Sequence, residues 1–251
     1  MSRPALPILV EGEGFVVAAK PPRLLVHRTA LSSDRIVMLQ WLRDQLGTRV
    51  AAMHRIDRPA SGCVLFATNE TIRHPLHEAL AQPTTEKVYL ALVRGQLPVG
   101  ETMTLDSPVD DKEASTTVTV LASLDEPRCA LVRCQIATGR FHQIRRHLAR
   151  IGRPILGDSQ HGDTRVNRTW RENHYLPRLM LHAWRLSFDL DGQRIEAECP
   201  LWPDFRQVLE HLPNWDALIE SHPALATAWP SPPPWPGRAR APKPIAASAE
   251  P

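Results

Sequence analysis

Between residues 87 and 199 the chain carries five candidate strands of six to eight residues, at 87–93, 116–121, 130–136, 181–188 and 194–199, apolar or alternating in pattern. Runs of this length are strands, and so many in series make a sheet the organising layer of any compact fold. Further strands are expected earlier: 8–10 and 15–19 flank a Gly-rich turn in PILVEGEGFVVAAKPP and stop at Pro21 and Pro22, which reads as an opening hairpin, and 63–67 forms another apolar run. Helices interrupt the series. Ile36, Leu39, Leu42 and Leu46 keep a helical spacing that ends at Gly47; 71–80 and 203–212 read as helices too, and in QIRRHLARIG the residues Ile144, Leu148 and Ile151 fall at i, i+4 and i+7. A sheet with a few covering helices and no internal repeat is an α+β fold. Beyond residue 220 the composition shifts to Pro and Ala, so the domain is expected over 1–220 and a disordered tail over 221–251.

The charge is unevenly placed. Residues 128–178 hold 11 arginines against three acids, a surplus of eight; since the whole chain carries +3, everything else is net −5. Only four of the 30 basic residues are lysines, so the cluster is made of guanidinium groups, which suit phosphate oxygens and base faces. RNA or DNA is the indicated partner, although an Arg-rich chain with solvated charges gives the same count. No apolar run nears the ~20 residues needed to cross a bilayer, and MSRPALPILVEGEG lacks the apolar core and cleavage site of a secretory signal; a cytoplasmic location is expected. Cys63, Cys129, Cys134 and Cys199 form no CxxC pair and have no histidines at zinc-ligand spacing, so neither a disulfide framework nor a metal site is expected.

Chemistry is concentrated in a few segments. HRIDRPASGCVLFA sets Asp57 between Arg55 and Arg58 in a loop feeding a strand, and nearby guanidinium favours the ionised form of a carboxylate, which can act as nucleophile or base. From these residues alone a turn-forming or ion-paired Asp57 is the plainer reading. TGRFHQIRRHL leads from a strand end into a helix, with Arg140 and His142 before it and Arg145 and Arg146 in its first turns, an arrangement that can hold anions. His142 and His147, five apart, do not share a helix face, so phosphate or solvent contact is expected of them rather than metal ligation. Tyr89, inside the strand EKVYLALVRG, is equally readable as a core residue or as a ring that stacks on a base.

Taken together, these segments resemble the RluA-type pseudouridine synthases. VVAAKPPRLLVHR is similar to the family's opening motif, HRIDRPASG to its catalytic motif, KVYLALVRG to its tyrosine strand, TGRFHQIRRHLARIGRPILGD to its basic motif and LMLHAWRLSF to its closing strand, in order across about residues 8–200. The resemblance implies a mainly antiparallel mixed sheet with flanking helices and a central RNA-binding cleft, and isomerisation of uridine to pseudouridine without cofactor or metal; a monomer is the default expectation, as nothing in the sequence indicates an oligomer. The resemblance also implies that Asp57 is the essential carboxylate, with Tyr89 under the uracil; Arg145 is the favoured salt-bridge partner of Asp57, over Arg140, which precedes the helix. Arg55 would hold the place of the extruded base, while Arg140, His142 and Arg146 would contact the RNA. GRPILGDSQHGDTRVNR followed by LPRLMLHA is similar to the branch that modifies uridine 65 in the T-arm stem of tRNA. The same chemistry on ribosomal RNA stands as an alternative, and a non-catalytic RNA-binding protein as a remoter one, against which the retention of Asp57 argues. Two positions depart from the family pattern: Ala60 where Thr is usual, and Arg23 where Gly is common.

Overall fold

The computed structural model describes residues 4–28, 34 and 36–229. Among them ten strands join one sheet: β1 (Ile8–Gly12), β2 (Phe15–Lys20), β3 (Ala51–Ala52), β4 (Ser61–Ala67), β5 (Glu86–Arg94), β6 (Thr102–Leu105), β7 (Thr116–Leu124), β8 (Cys129–Ile136), β9 (Leu181–Leu190) and β10 (Gln193–Glu198). The order is β1-β2-β4-β9-β5-β8-β7-β6, with β10 also on β9 and β3 on β4. All pairings are antiparallel except β4 with β9, which run parallel where Ser61 meets His182 and Gly62 meets Ala183. Six helices cover the sheet: α1 (Met38–Leu46), α2 (Arg73–Ala81), α3 (Gln143–Arg150), α4 (Thr164–Asn173), α5 (Pro203–Glu210) and α6 (Trp215–Ser221). The α+β mixed sheet is thus the architecture expected.

Side chains that alternate along a strand point to opposite faces, and the central strands bury both. Val16, Ala18, Val64 and Phe66 enter one apolar cluster with Leu90, Leu92, Trp41 and Phe205, while Phe15, Val17, Leu65 and Ala67 enter a second with Phe188, Leu186 and Trp202. This two-sided burial explains why β2 and β4 read as unbroken apolar runs. β7 instead alternates, burying Val118 and Val120 and leaving Thr117 and Thr119 half-exposed.

Several elements lie beyond the sequence reading. α1 starts at Met38 rather than Ile36, because the Met38 and Leu39 amides are taken by the Leu25 and Val26 carbonyls of the incoming chain. β3 and β6 are too short to give a pattern. α4 is mostly polar, burying Asn167 and Trp170, and is started by Asp163, whose carboxylate accepts from the Arg165 and Val166 amides. The fold also continues past residue 220: α6 ends at Ser221, Pro223–Ala226 makes a 3₁₀ turn that buries Leu225, and Ala228 bridges to Leu201. Leu218 and Leu225 supply apolar anchors that a compositional reading averages away. The rest of the expected Pro/Ala-rich tail, 230–251, lies outside the described residues.

Gly62 locks the parallel junction. Its φ is +121°, and a Cβ there would meet the Ala183 carbonyl oxygen at 2.1 Å, so only glycine lets β4 and β9 approach. The loop that enters β4 carries Asp57.

Candidate active site

Asp57 lies in the loop between β3 and β4, in a turn closed by the Ala60 amide donating to the Asp57 carbonyl at 3.1 Å. Two buried cations hold this loop from behind. Lys20, fully enclosed at the end of β2, donates its Nζ to the carbonyls of Pro21, Leu24 and Arg58 at 2.8, 2.8 and 3.2 Å. Burial pushes the Lys20 ammonium well below its usual pKa, the Arg178 charge adds to this, and Asp57 opposes it. Arg178 donates to Ser61 Oγ at 3.0 Å and grips Asp204 through Nε at 2.6 Å and Nη2 at 3.0 Å. Burial raises the Asp204 pKa, but the facing Arg178 guanidinium more than offsets that and holds it below the usual carboxylate range.

In front of the loop stands α3. Arg145, buried in its first turn, donates Nη1 to Asp57 Oδ2 at 3.0 Å, and Nε and Nη2 to the two oxygens of Asp158 at 2.7 and 2.8 Å. Asp158 Oδ1 also accepts from the amides of Gln160 and His161. Burial works against the Asp158 charge, yet the Arg145 hydrogen bonds and these amides bring its pKa below the ordinary value. One guanidinium thus bridges two carboxylates, and the one in the pocket keeps an open side.

That pocket is lined by Asp57, Arg55, Ala60, Tyr89, Arg140, His142, Gln143 and Arg145, with Ile56, Ile136, Ile144 and Leu181 as apolar walls. Asp57 is its only acid among the described residues. Tyr89 projects into it from β5, and burial, helped by the Asp57 charge, raises its phenol pKa so that the hydroxyl stays protonated. His142 takes a left-handed backbone conformation, φ +55°, at the start of α3, and its Nε2 lies 3.8 Å from Asp57 Oδ1. Its Nδ1 lies 3.1 Å from Nε2 of His161. Burial, with Arg145 and His161 adding and Asp57 opposing, lowers its pKa to about 4, so the ring is neutral at pH 7. The exposed ring of Phe141 stacks on it with centroids 3.7 Å apart.

Six of the seven residues picked from the sequence line this space, in differing contacts; the seventh, Arg146, lines a neighbouring open groove instead. Arg55 is exposed at the rim, Arg140 donates to the Glu113 carbonyl at 3.1 Å, and Arg146 pairs with the exposed Asp110 at 2.7 Å. The arginines adjacent in sequence are not the partners of Asp57: Arg58 pairs with Asp34 at 2.9 Å, and the guanidinium on Asp57 comes from α3. His147 corrects another expectation. It is wholly buried, with Nδ1 2.9 Å from Thr116 Oγ1 and Nε2 2.8 Å from the Ser107 carbonyl, and touches neither phosphate nor solvent. The two unusual positions are accommodated. Ala60 closes the turn through its backbone, and Arg23, at φ +65° where glycine is favoured, is tied by its guanidinium to the Pro177 carbonyl at 2.7 Å.

The sequence reading passed over Asp158, His161, Lys20 and Arg178. Asp158 carried a usable signal, a Gly-Asp step in the basic motif, and Gly157 proves essential there: its φ is +81° and a Cβ would meet the Arg178 carbonyl oxygen at 1.9 Å. Arg178 carried none, being one more arginine in a basic stretch. Among the described residues no group of three or more His, Cys, Asp or Glu side chains is placed to hold a metal ion, and all four cysteines are buried thiols.

The family model described as RNA pseudouridylate synthase matches residues 14–150, which include β2, the Asp57 loop, Tyr89 and the whole of α3. This chain belongs to that family. Among curated relatives, the tRNA pseudouridine synthase C of Vibrio cholerae is 38% identical over 73% of this chain and 85% of its own length. The Salmonella typhi protein of the same name is 36% identical over 85% and 92%. Among solved structures, human RNA pseudouridylate synthase domain containing 1 superposes with a TM-score of 0.62 at 22% identity, covering 85% of this chain and 87% of that one. Domain containing 4 gives 0.63 at 23% identity, covering 81% and 91%. At such identities the structures speak for the fold, and this pseudouridine synthase has the fold its family uses.

Proposed function

We propose that this chain isomerises uridine 65 in the T-arm stem of tRNA, with Asp57 as the essential carboxylate and with no cofactor or metal. The observation that carries the reading is Asp57 itself, the one acid in an otherwise basic and apolar pocket, oriented by Arg145 with one side left open. The choice of tRNA is supported by the relatives named tRNA pseudouridine synthase C.

The reaction breaks N1–C1′, turns the uracil and forms C5–C1′; a proton leaves C5 and another arrives at N1, so atoms and oxidation state balance. An ionised carboxylate either adds to the nucleoside or takes a proton from its sugar. Tyr89 lies where it can support the face of the uracil, and the Ile136 and Leu181 side chains make the surroundings apolar. A base in a stacked stem must first be extruded, and Arg55 at the rim is free to fill its place. Arg140 and Arg146 face the flanking backbone, Arg146 by exchanging Asp110 for phosphate, while His142, inside the pocket beside Asp57, contacts the target nucleotide itself. We further propose that the protein works as a monomer in the cytoplasm, alongside its tRNA substrate. Among the described residues no helix is long and apolar enough to cross a membrane.

Mapping pseudouridine in total RNA from cells with and without the gene tests the reading. Loss at tRNA position 65 alone is the expected result; a lost ribosomal RNA site with tRNA unchanged would overturn the substrate assignment while leaving the chemistry.

A further inference from the structure

The reaction leaves a proton with no obvious way out. Once C5 is bonded to C1′ its hydrogen must go, at the bottom of a pocket that the RNA itself stoppers. Asp57 is already committed to the sugar or the nucleoside, Tyr89 is a protonated phenol, and Arg145 is a fixed cation with no lone pair.

Two imidazoles join this closed pocket to a second, open one. His142 lines the active-site pocket, with Nε2 on the Asp57 side. Its other nitrogen, Nδ1, is 3.1 Å from His161 Nε2. His161 does not line the first pocket; it lines the neighbouring open groove with Asp110, Arg146 and Arg150. The pair spans the wall between them. Its geometry is also maintained at a cost: His142 sits at φ +55°, a conformation disfavoured for a side chain with a Cβ, and such outliers persist where the surrounding structure enforces them. The Asp158 carboxylate accepts the His161 amide and so fixes the loop that presents the second ring.

We propose that His142 and His161 form a relay that carries the C5 proton from the active-site pocket to solvent. His142, neutral with its hydrogen on Nδ1, accepts the C5 proton at Nε2; the Nδ1 hydrogen passes to His161 Nε2; His161 releases its Nδ1 hydrogen to water in the groove. One proton enters and one leaves; each ring ends neutral as its other tautomer, and proton exchange with water after product release resets the pair for the next turnover. His142 touches the reacting base, while His161 acts through it. The charged and titratable groups facing the pair are Asp57, Arg145, Asp158 and Arg146, and burial with the arginine charges keeps both rings below their ordinary pKa, which leaves them able to accept a proton at neutral pH.

The relay rests on the pseudouridine synthase reading but not on the choice of RNA. Its test therefore uses 5-tritiated total RNA from cells lacking the gene, with saturating enzyme and a single turnover. Wild-type protein should release tritium at a rate indifferent to buffer; failure to do so would count against the activity itself. His161→Ala and His161→Asn, the second keeping a hydrogen-bonding side chain beside His142 but unable to pass a proton, should each slow release by roughly 10 to 100-fold with RNA affinity unchanged. Both slowed rates should then rise with added imidazole at fixed ionic strength. Wild-type release by His161→Asn, or slowed release that imidazole does not restore, would overturn the relay.

Discussion

Asp57 is held between two arginines of similar design and opposite use. Arg178, behind the loop, and Arg145, in front of it, are both buried and both clamp an aspartate with two parallel bonds, Asp204 and Asp158 respectively. The difference is in the remaining donor. Arg178 spends its other donors on Ser61 Oγ and the Leu179 carbonyl, so its cluster holds a single carboxylate and leaves no donor for a second. Arg145 reaches a second carboxylate, Asp57, leaving one anionic charge more than the guanidinium can neutralise, and that surplus faces the pocket. The same bidentate pair thus makes a closed structural clamp in one place and, on the proposed reading, the support of a reactive carboxylate in the other.

The largest effect that separates the two clusters is expected from Arg145→Met. It strands Asp158 without its cation, costing about 3 to 5 kcal/mol of stability, and releases Asp57 from its orientation, so activity at a temperature where the variant stays folded should still be lost. Arg178→Met should cost a similar stability by denaturant unfolding but reduce single-turnover rate much less once folded, because Lys20 still holds the Asp57 loop through the Arg58 carbonyl. Equal loss of rate in both variants would erase the distinction. Lysine substitutions sharpen it: an ammonium cannot bridge two carboxylates in fixed directions, so Arg145→Lys should lower the rate by about a hundredfold, and Arg178→Lys by no more than about tenfold.

A smaller effect concerns pH. His54 accepts the Leu65 amide at Nε2, 3.1 Å away, and burial together with the Lys87 charge lowers its pKa to about 4. The unfolded chain therefore binds the proton more readily than the folded one between pH 6.5 and 4, and stability present above 6.5 is lost as pH falls through that window. Melting temperature followed over this range should drop less in His54→Gln, which keeps an acceptor without the titration. The smallest effect is expected at the rim: Phe141→Ala, removing an exposed ring stacked on His142, should weaken RNA binding several-fold, as loss of one stacking partner does, with less change in rate.

These two clusters also mark what a sequence discloses. The strands were legible because period and apolar content announce them, and the family resemblance of their motifs was enough to bring Asp57, Tyr89 and Arg145 to one pocket, where the structure places them. Arg178 was counted among the positive charges expected to meet RNA, yet it is buried, because its acid lies 26 residues further along in α5 and no local pattern joins them. The contrast within the cluster is plain on α4, where Arg165, Arg168 and Arg171 do face solvent. Asp57 looked locally as though Arg55 and Arg58 would govern it, but its guanidinium arrives from 88 residues away. The His142–His161 contact was invisible for the same reason. It depends on a left-handed backbone at His142 that the residue type does not favour and that only the packed loop enforces.

The central claim is that Asp57 performs the chemistry and that everything around it holds, orients or admits. Tritium release from 5-labelled uridine in unmodified tRNA by Asp57→Asn, an isosteric change that keeps the hydrogen bond from Arg145 possible, measures this most directly. Release should fall by roughly a thousandfold or more while RNA binding and melting temperature stay near those of the wild type. Unimpaired release by that variant would contradict the account.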